Sequence, residues 1–76
     1  MLVTLYFTFP TGYEPFEVPP ADLRGVPIPV VGDYYTHPKG EKVFLIKSRR
    51  FLYDVQENVL NIFFECGGEP KRHTST

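Results

Sequence analysis

Proline and glycine recur through most of this chain and limit the length of any regular element. Eight prolines and six glycines occur among 76 residues, and most of them lie between residues 10 and 40. Proline lacks a backbone donor and glycine interrupts regular segments, so this distribution favours short strands and turns over long helices. A chain of this length forms at most one domain, with a core that buries only about 60% of the unfolded surface.

Composition and charge narrow the class further. The hydrophobic fraction of 42% and the aromatic fraction of 16% predict a folded chain. The formal net charge of −1 lacks the basic excess that is usual in nucleic-acid domains, so only a local patch could bind phosphates. The opening "MLVTLYFTFP" has no signal-peptide pattern, and no apolar run approaches the roughly 20 residues of a membrane span. We therefore expect a cytoplasmic protein that does not enter membranes.

The N-terminal part predicts a β-hairpin. In "LVTLYFTF", apolar and polar residues alternate with the period of a half-buried strand, and Pro10 ends the pattern. A turn containing Gly12 leads into "FEV", residues 16–18, as the returning strand. After it, "ADLRG" is the only candidate helical turn, and residues 21–24 are too few for an independent helix.

The C-terminal part predicts a longer hairpin. "YYTH" is a candidate strand, and residues 42–55 and 58–66 are two further strands separated by a short turn. The apolar positions on the first of these do not keep one phase, which predicts a bend or bulge between Lys47 and Arg50. The last ten residues, 67–76, contain no apolar side chain other than proline and glycine, and we predict that they are disordered.

The predicted fold is therefore mainly all-β. It is a small curled antiparallel sheet, or an SH3-like barrel, of about five strands with at most one helical turn. One domain spans residues 1–66, followed by a disordered tail. The arrangement "VGDYY…VFLIKSRRFLYD…VLNIFF" resembles SH3-like small barrels over residues 26–66 and is also similar to short uncharacterised bacterial and phage proteins. That resemblance implies a fold and no particular activity.

Few residues could support catalysis, and we predict no enzyme, cofactor or metal site. His37 precedes Pro38 and is best interpreted as a turn histidine, while His73 falls in the predicted tail. Cys66 is the only cysteine, so it forms no internal disulfide, and its spacing to His73 does not match a zinc site. Because Cys66 shares a strand face with apolar residues, we expect a small buried side chain rather than a reactive thiol.

The segment "KSRRFLYD", residues 47–54, has two interpretations. On a regular strand, Lys47, Arg49 and Tyr53 lie on one face, which would form a cationic and aromatic platform for single-stranded nucleic acid. Alternatively, a bulge turns the cations outward while Phe51 enters the core. We favour the second interpretation.

The predicted function is protein–protein contact without catalysis, with self-association as one form of that contact. Tyrosine and arginine are enriched at protein interfaces. The predicted contact residues are Tyr34, Tyr35, Arg49, Arg50 and Tyr53. The alternative is a nucleic-acid-binding barrel that uses Lys47, Arg49 and Arg50, assisted by Lys71 and Arg72.

Overall fold

Five strands form a single curled sheet. The computed structural model describes residues 1–40 and 42–72, with side chains described no further than residue 68. The strands are β1 (Leu2–Thr8), β2 (Phe16–Ala21), β3 (Tyr34–Thr36), β4 (Lys42–Asp54) and β5 (Val59–Arg72). No helix occurs in residues 1–40 and 42–72. The predicted all-β class with about five strands is confirmed.

One strand pair differs from the predicted antiparallel sheet. The strand order is β2-β1-β5-β4-β3, and the β1–β2, β3–β4 and β4–β5 pairs are antiparallel. However, β1 and β5 run parallel, with Leu2 opposite Val59 and Thr8 opposite Glu65. Parallel neighbours need a long connection, and here it consists of all the chain between them. The local turn signals that predicted the hairpins contain no information about this distant pair.

The predicted bulge is present in β4. Ile46 lies opposite Cys66 and Ser48 lies opposite Glu65, so Lys47 is an extra residue in the ladder. A single extra residue bends the strand and shifts its alternation by one. Side chains at even positions before the bulge and at odd positions after it therefore lie on the same face of the sheet.

Strand β2 is longer than predicted. It continues through Pro19 and Pro20 to Ala21 instead of ending before the prolines. The order of the sheet explains this, because β2 is an edge strand and needs a ladder partner on one side only. Proline is tolerated in edge strands and at bulges. The register between β1 and β2 shifts by one residue between the Leu5–Val18 and Val3–Ala21 pairs, which is where the two prolines lie.

A β-turn replaces the predicted helical turn. The Val26 N–H donates to the Leu23 carbonyl at 3.0 Å, and Gly25 adopts a φ of 79°. This positive φ lies in the left-handed region that glycine adopts without steric cost.

Strand β5 also exceeds its predicted end at Cys66. Its backbone pairs with β4 as far as Arg72, which lies opposite Lys42. The predicted disordered tail therefore begins too early, because residues 67–72 belong to a strand. Residues 73–76, including His73, lie outside the described residues.

The core lies on one face of the sheet, which we call the inner face. Phe7 is at its centre, with ring centroids 4.1 Å from Tyr35 and 4.7 Å from Phe64. Cys66 is 3% exposed, which confirms the prediction of a small buried side chain. The buried apolar residues are Leu5, Phe7, Phe44, Ile46, Ile62, Phe64 and Cys66.

Candidate functional site

The inner face continues beyond the core onto the second half of β4. Arg49 lies opposite the buried Phe64, and Phe51 lies opposite the buried Ile62. Residues opposite each other in a ladder project to the same side of the sheet. Arg49 and Phe51, and Tyr53 after them, therefore belong to the inner face and not to the outer one.

The two ends of the inner face differ in how they are covered. Phe44 is fully buried, and the rings of Phe9 and Tyr13 lie over it with centroids 5.3 and 4.9 Å away. Phe51, on the same strand and the same face, is 51% exposed although its ladder partner Ile62 is 2% exposed. The apolar surface of the sheet thus extends past the segments that cover it.

An open groove forms at this uncovered end, and we call it the hairpin groove. Its volume is about 420 Å³, and the sheet and the crossing segment between β2 and β3 both contribute to it. Its lining is mainly apolar and includes Val3, Leu23, Ile28, Phe51, Leu60 and Ile62. A concave, mostly apolar surface with few polar groups is the usual form of a binding site.

Two arginines line the same groove. The Arg49 side chain donates to the Pro29 carbonyl at 3.1 Å, and its guanidinium carbon lies 5.0 Å from the centre of the Phe51 ring. Arg24 pairs with Asp22 at 2.9 Å, and the hydrogen bond from Arg24 lowers the pKa of the Asp22 carboxyl. Arg49 is therefore held beside the apolar surface, where it could pair with an acidic group.

The outer face carries a second aromatic cluster. Tyr6 and Phe63 stack with their centroids 4.8 Å apart, and the Arg50 guanidinium lies 4.5 Å from the centre of Phe63. Ser48 donates to Glu65 in the same region at 3.2 Å. Arg50 and Glu65 line the same shallow pocket on this face, so the cluster is not purely basic.

The structure divides the predicted contact residues among several places. Tyr35 lies opposite the buried Phe44 and packs in the core, where burial raises the pKa of its hydroxyl. Tyr34 is 55% exposed and points to the outer face. Lys47 occupies the bulge, and its side chain lies over Gly67.

Only two of the predicted contact residues lie on the uncovered inner face, namely Arg49 and Tyr53. Tyr53 donates from its hydroxyl to Asn58 at 2.6 Å and so joins the strand to the hairpin turn. Arg50 projects to the opposite face of the sheet. The described side chains end before Lys71 and Arg72, so the part of the nucleic-acid prediction that uses these two side chains is not tested.

Sequence reasoning missed the residues that form the groove. The favoured interpretation of the sequence places Phe51 in the core, and the sequence analysis assigns no surface role to Leu23 or Ile28. The available signal was Ile28, an apolar side chain between Pro27 and Pro29 in an otherwise extended segment. The neighbouring Val26, Val30 and Val31 are apolar as well but exposed, so this signal is weak.

His37 has a structural role in the fold. It is 6% exposed, its Nδ1 accepts from the Lys39 N–H at 3.1 Å, and its Nε2 lies 3.0 Å from the Glu14 carbonyl. These contacts assign the ring proton to Nε2, since a carbonyl oxygen can only accept. The ring joins the turn after β3 to the loop after β1.

The thiol of Cys66 is expected to be unreactive in the native protein. Burial, and then the charge of Glu65, raises its pKa to about 11. Because the thiolate is the nucleophile, this shift reduces the reactive fraction about 100-fold near neutral pH. Alkylation by iodoacetamide, followed by mass spectrometry, should be at least about 100-fold slower in buffer than in denaturant. Equal rates in the two solutions would show that the strand end opens freely.

Metal-binding groups and membrane-spanning helices are not found among the described residues. No group of three or more His, Cys, Asp or Glu side chains there could hold a metal ion. Nor does that part of the chain contain a helix long and apolar enough to cross a membrane. Comparison with known protein families, curated proteins and solved structures finds no match to this chain. The resemblance to SH3-like barrels remains a prediction.

Proposed function

We propose that this chain is a non-enzymatic binding domain that acts through protein–protein contact at the hairpin groove. One observation carries the proposal: Phe51 is half exposed on the face of the sheet that forms the core, opposite the fully buried Ile62. Apolar surface that continues a core but lacks a cover is typical of interaction sites. The sheet supplies the floor of the groove, so the surface is rigid.

The lining of the groove indicates the chemistry of the partner. An apolar or aromatic side chain fits against Phe51, Leu60 and Ile62, since burying it removes apolar surface of both molecules from water. An acidic group beside that anchor would pair with Arg49, whose guanidinium is already positioned by Pro29. Aromatic and arginine side chains together form the energetic centre of many interfaces.

The nucleic-acid alternative has less support. Arg49 and Arg50 project to opposite faces, so the predicted basic patch is divided. On the outer face, Arg50 already lies over Phe63, and Glu65 would repel a nearby phosphate. Anisotropy of a labelled single-stranded oligonucleotide tests this alternative. Salt-sensitive binding that is lost in Arg50→Glu but retained in Phe51→Asp would assign the function to the outer face.

Photo-crosslinking tests the proposed contact directly. We expect p-benzoylphenylalanine at position 51 to yield a polypeptide adduct in the cells that produce the chain, because Phe51 lines the contact surface. An excess of unlabelled wild-type protein should suppress the adduct, whereas the Phe51→Asp variant should not.

Val55 provides a matched control for that experiment. It is 75% exposed in the turn between β4 and β5 and does not line the groove. The same probe at position 55 should give little adduct, because exposure alone does not make a contact surface. Equal yields from positions 51 and 55 would contradict the proposed function.

A further inference from the structure

The outer edge of β4 is open beside the hairpin groove. On that edge, β3 pairs with β4 from Val43 to Leu45, and the Gly32–Asp33 turn pairs with Ile46. Beyond Ile46, β5 is the only strand that pairs with β4 among the described residues. Residues 48–54 therefore present a row of backbone groups without a strand neighbour, which is a template for strand addition.

The alternation of the strand identifies which residues face this edge. The Ile46 N–H donates to the Asp33 carbonyl and the Ile46 carbonyl accepts from Gly32, so the backbone of Ile46 faces the edge. The bulge at Lys47 shifts the alternation by one residue. The backbone groups of Arg49, Phe51 and Tyr53 consequently face the open edge. Leu52 supports this assignment, since its carbonyl accepts from Asn61 on the opposite side, in β5.

We propose that the occupant of this edge is a second copy of the chain, paired antiparallel through residues 48–54 about a two-fold axis at Phe51. This inference rests on the proposed function and identifies its partner. An antiparallel pair joins the two sheets into one, with both inner faces on the same side. The two hairpin grooves then adjoin each other across the axis.

The charge distribution along the strand supports antiparallel self-pairing. Cations occupy its first half, at Lys47, Arg49 and Arg50, while Asp54 ends it. Antiparallel pairing places the cationic half of the strand in one copy against the second half of the strand in the other copy, which contains no cation. With the axis at Phe51, Arg49 lies opposite Tyr53, and Arg50 lies opposite Leu52. No like charges are opposed, and like charges directly opposite each other would destabilise the pair.

Other registers are less favourable. An axis at Arg49 or Arg50 would place that arginine opposite itself in the second copy. An axis at Tyr53 would require pairing by residues 55–58, which form the hairpin turn. An axis at Leu52 leaves Arg49 opposite the turn. The axis at Phe51 alone pairs all three edge-facing residues within β4, and each such pair exchanges two backbone hydrogen bonds.

The usual protection of sheet edges is incomplete in this segment. Natural edges avoid association by means of lysines, prolines and bulges. Here the bulge and the cations lie before residue 51. The next three residues, Phe51, Leu52 and Tyr53, are uncharged, and none of them is proline. Phe51 and Leu52 are 51% and 53% exposed, and they lie on opposite faces of the strand. Pairing would bury apolar surface on both sides of the joined sheet.

Charge exchange at position 51 tests the axis, because this residue would lie opposite itself. We expect the wild-type chain to show twice its mass of 8.8 kDa by light scattering behind a sizing column. Phe51→Lys and Phe51→Glu should each be monomeric, since each opposes like charges. An equimolar mixture of the two variants should recover the dimer mass. Thermal melting of each variant should confirm that the exposed position tolerates the charge.

Two outcomes would overturn the inference. A wild-type chain that is monomeric at all concentrations would exclude the second copy as the occupant. Recovery by a mixture of Leu52→Lys and Leu52→Glu, in place of the position 51 pair, would exclude the axis at Phe51. The crosslinking result separates these failures from failure of the proposed function. A position 51 adduct with a different polypeptide would retain the function, whereas a monomer without any adduct would remove both.

Discussion

Phe44→Ala is expected to lower the free energy of unfolding by about 3–5 kcal/mol, the usual cost of deleting a buried phenylalanine ring. Phe44 is fully buried, and the rings of Phe9 and Tyr13 pack over it. A domain of this length is stable by only about 4–11 kcal/mol. The substitution therefore removes a large part of the total, and urea denaturation followed by circular dichroism should show a strongly reduced midpoint.

Phe51→Ala is the matched control, because it makes the same change on the same strand and face. Phe51 is 51% exposed, so truncation should cost no more than about 1 kcal/mol. The pair of variants separates burial from position on the inner face. If the two variants lost equal stability at a concentration at which the chain is monomeric, segments of the chain itself would cover Phe51, and the hairpin groove could not be a free contact surface.

The hairpins were predictable because their signals are local. The alternation before Pro10, the turn that contains Gly12 and the short turn after residue 55 are each contained within a few residues. The bulge was predictable for a similar reason, since the apolar positions on either side of Lys47 differ in phase. Each of these features depends on the side chains of one or two adjacent strands.

The parallel β1–β5 pair could not be predicted from such signals. Its partners are separated by most of the chain, and period-two alternation is the same for a parallel and an antiparallel neighbour. Whether β1 pairs with β5 depends on the final arrangement of the whole sheet. The same limitation explains why the end of β5 was predicted too early. Arg72 is charged, and it belongs to the strand because its backbone pairs with Lys42, not because of an apolar pattern.

The candidate site was only partly predictable. The sequence identified residues 47–54 as the unusual segment and predicted the break in phase. It could not show that the segments covering the inner face stop short of Phe51. Coverage depends on where the Leu23–Ile28 segment crosses the sheet, which has no local sequence signature. The predicted contact set consequently combined Arg49 with Arg50, which lie on opposite faces.

His37→Ala is expected to lower the free energy of unfolding by about 2–4 kcal/mol. The ring accepts from the Lys39 N–H and contacts the Glu14 carbonyl, so its removal leaves two backbone groups without their partner. Each of these part-buried hydrogen bonds contributes about 0.5–1.5 kcal/mol, and the cavity left by the buried ring adds to the loss. The loss should appear in thermal and urea denaturation alike.

Conservative variants distinguish the two hydrogen bonds of His37 from its packing. Asparagine places an oxygen near the position of Nδ1 and can accept from Lys39, whereas glutamine places its amide near Nε2 and can donate to Glu14. Each variant should recover part of the stability that alanine loses. The rings of Phe9 and Tyr13, with centroids 4.6 and 5.7 Å from His37, would still lose an aromatic neighbour, so neither recovery should be complete.

Lys39→Ala provides the remaining control for His37. It removes the exposed ion pair with Glu14 but keeps the Lys39 N–H that His37 accepts. The melting temperature should change little, because exposed ion pairs contribute weakly to stability. If Lys39→Ala were as damaging as His37→Ala, the surface ion pair would hold the two loops together. A much smaller effect would place that role in the buried ring of His37. This ring contacts the carbonyl of Glu14, which lies 23 positions earlier in the chain.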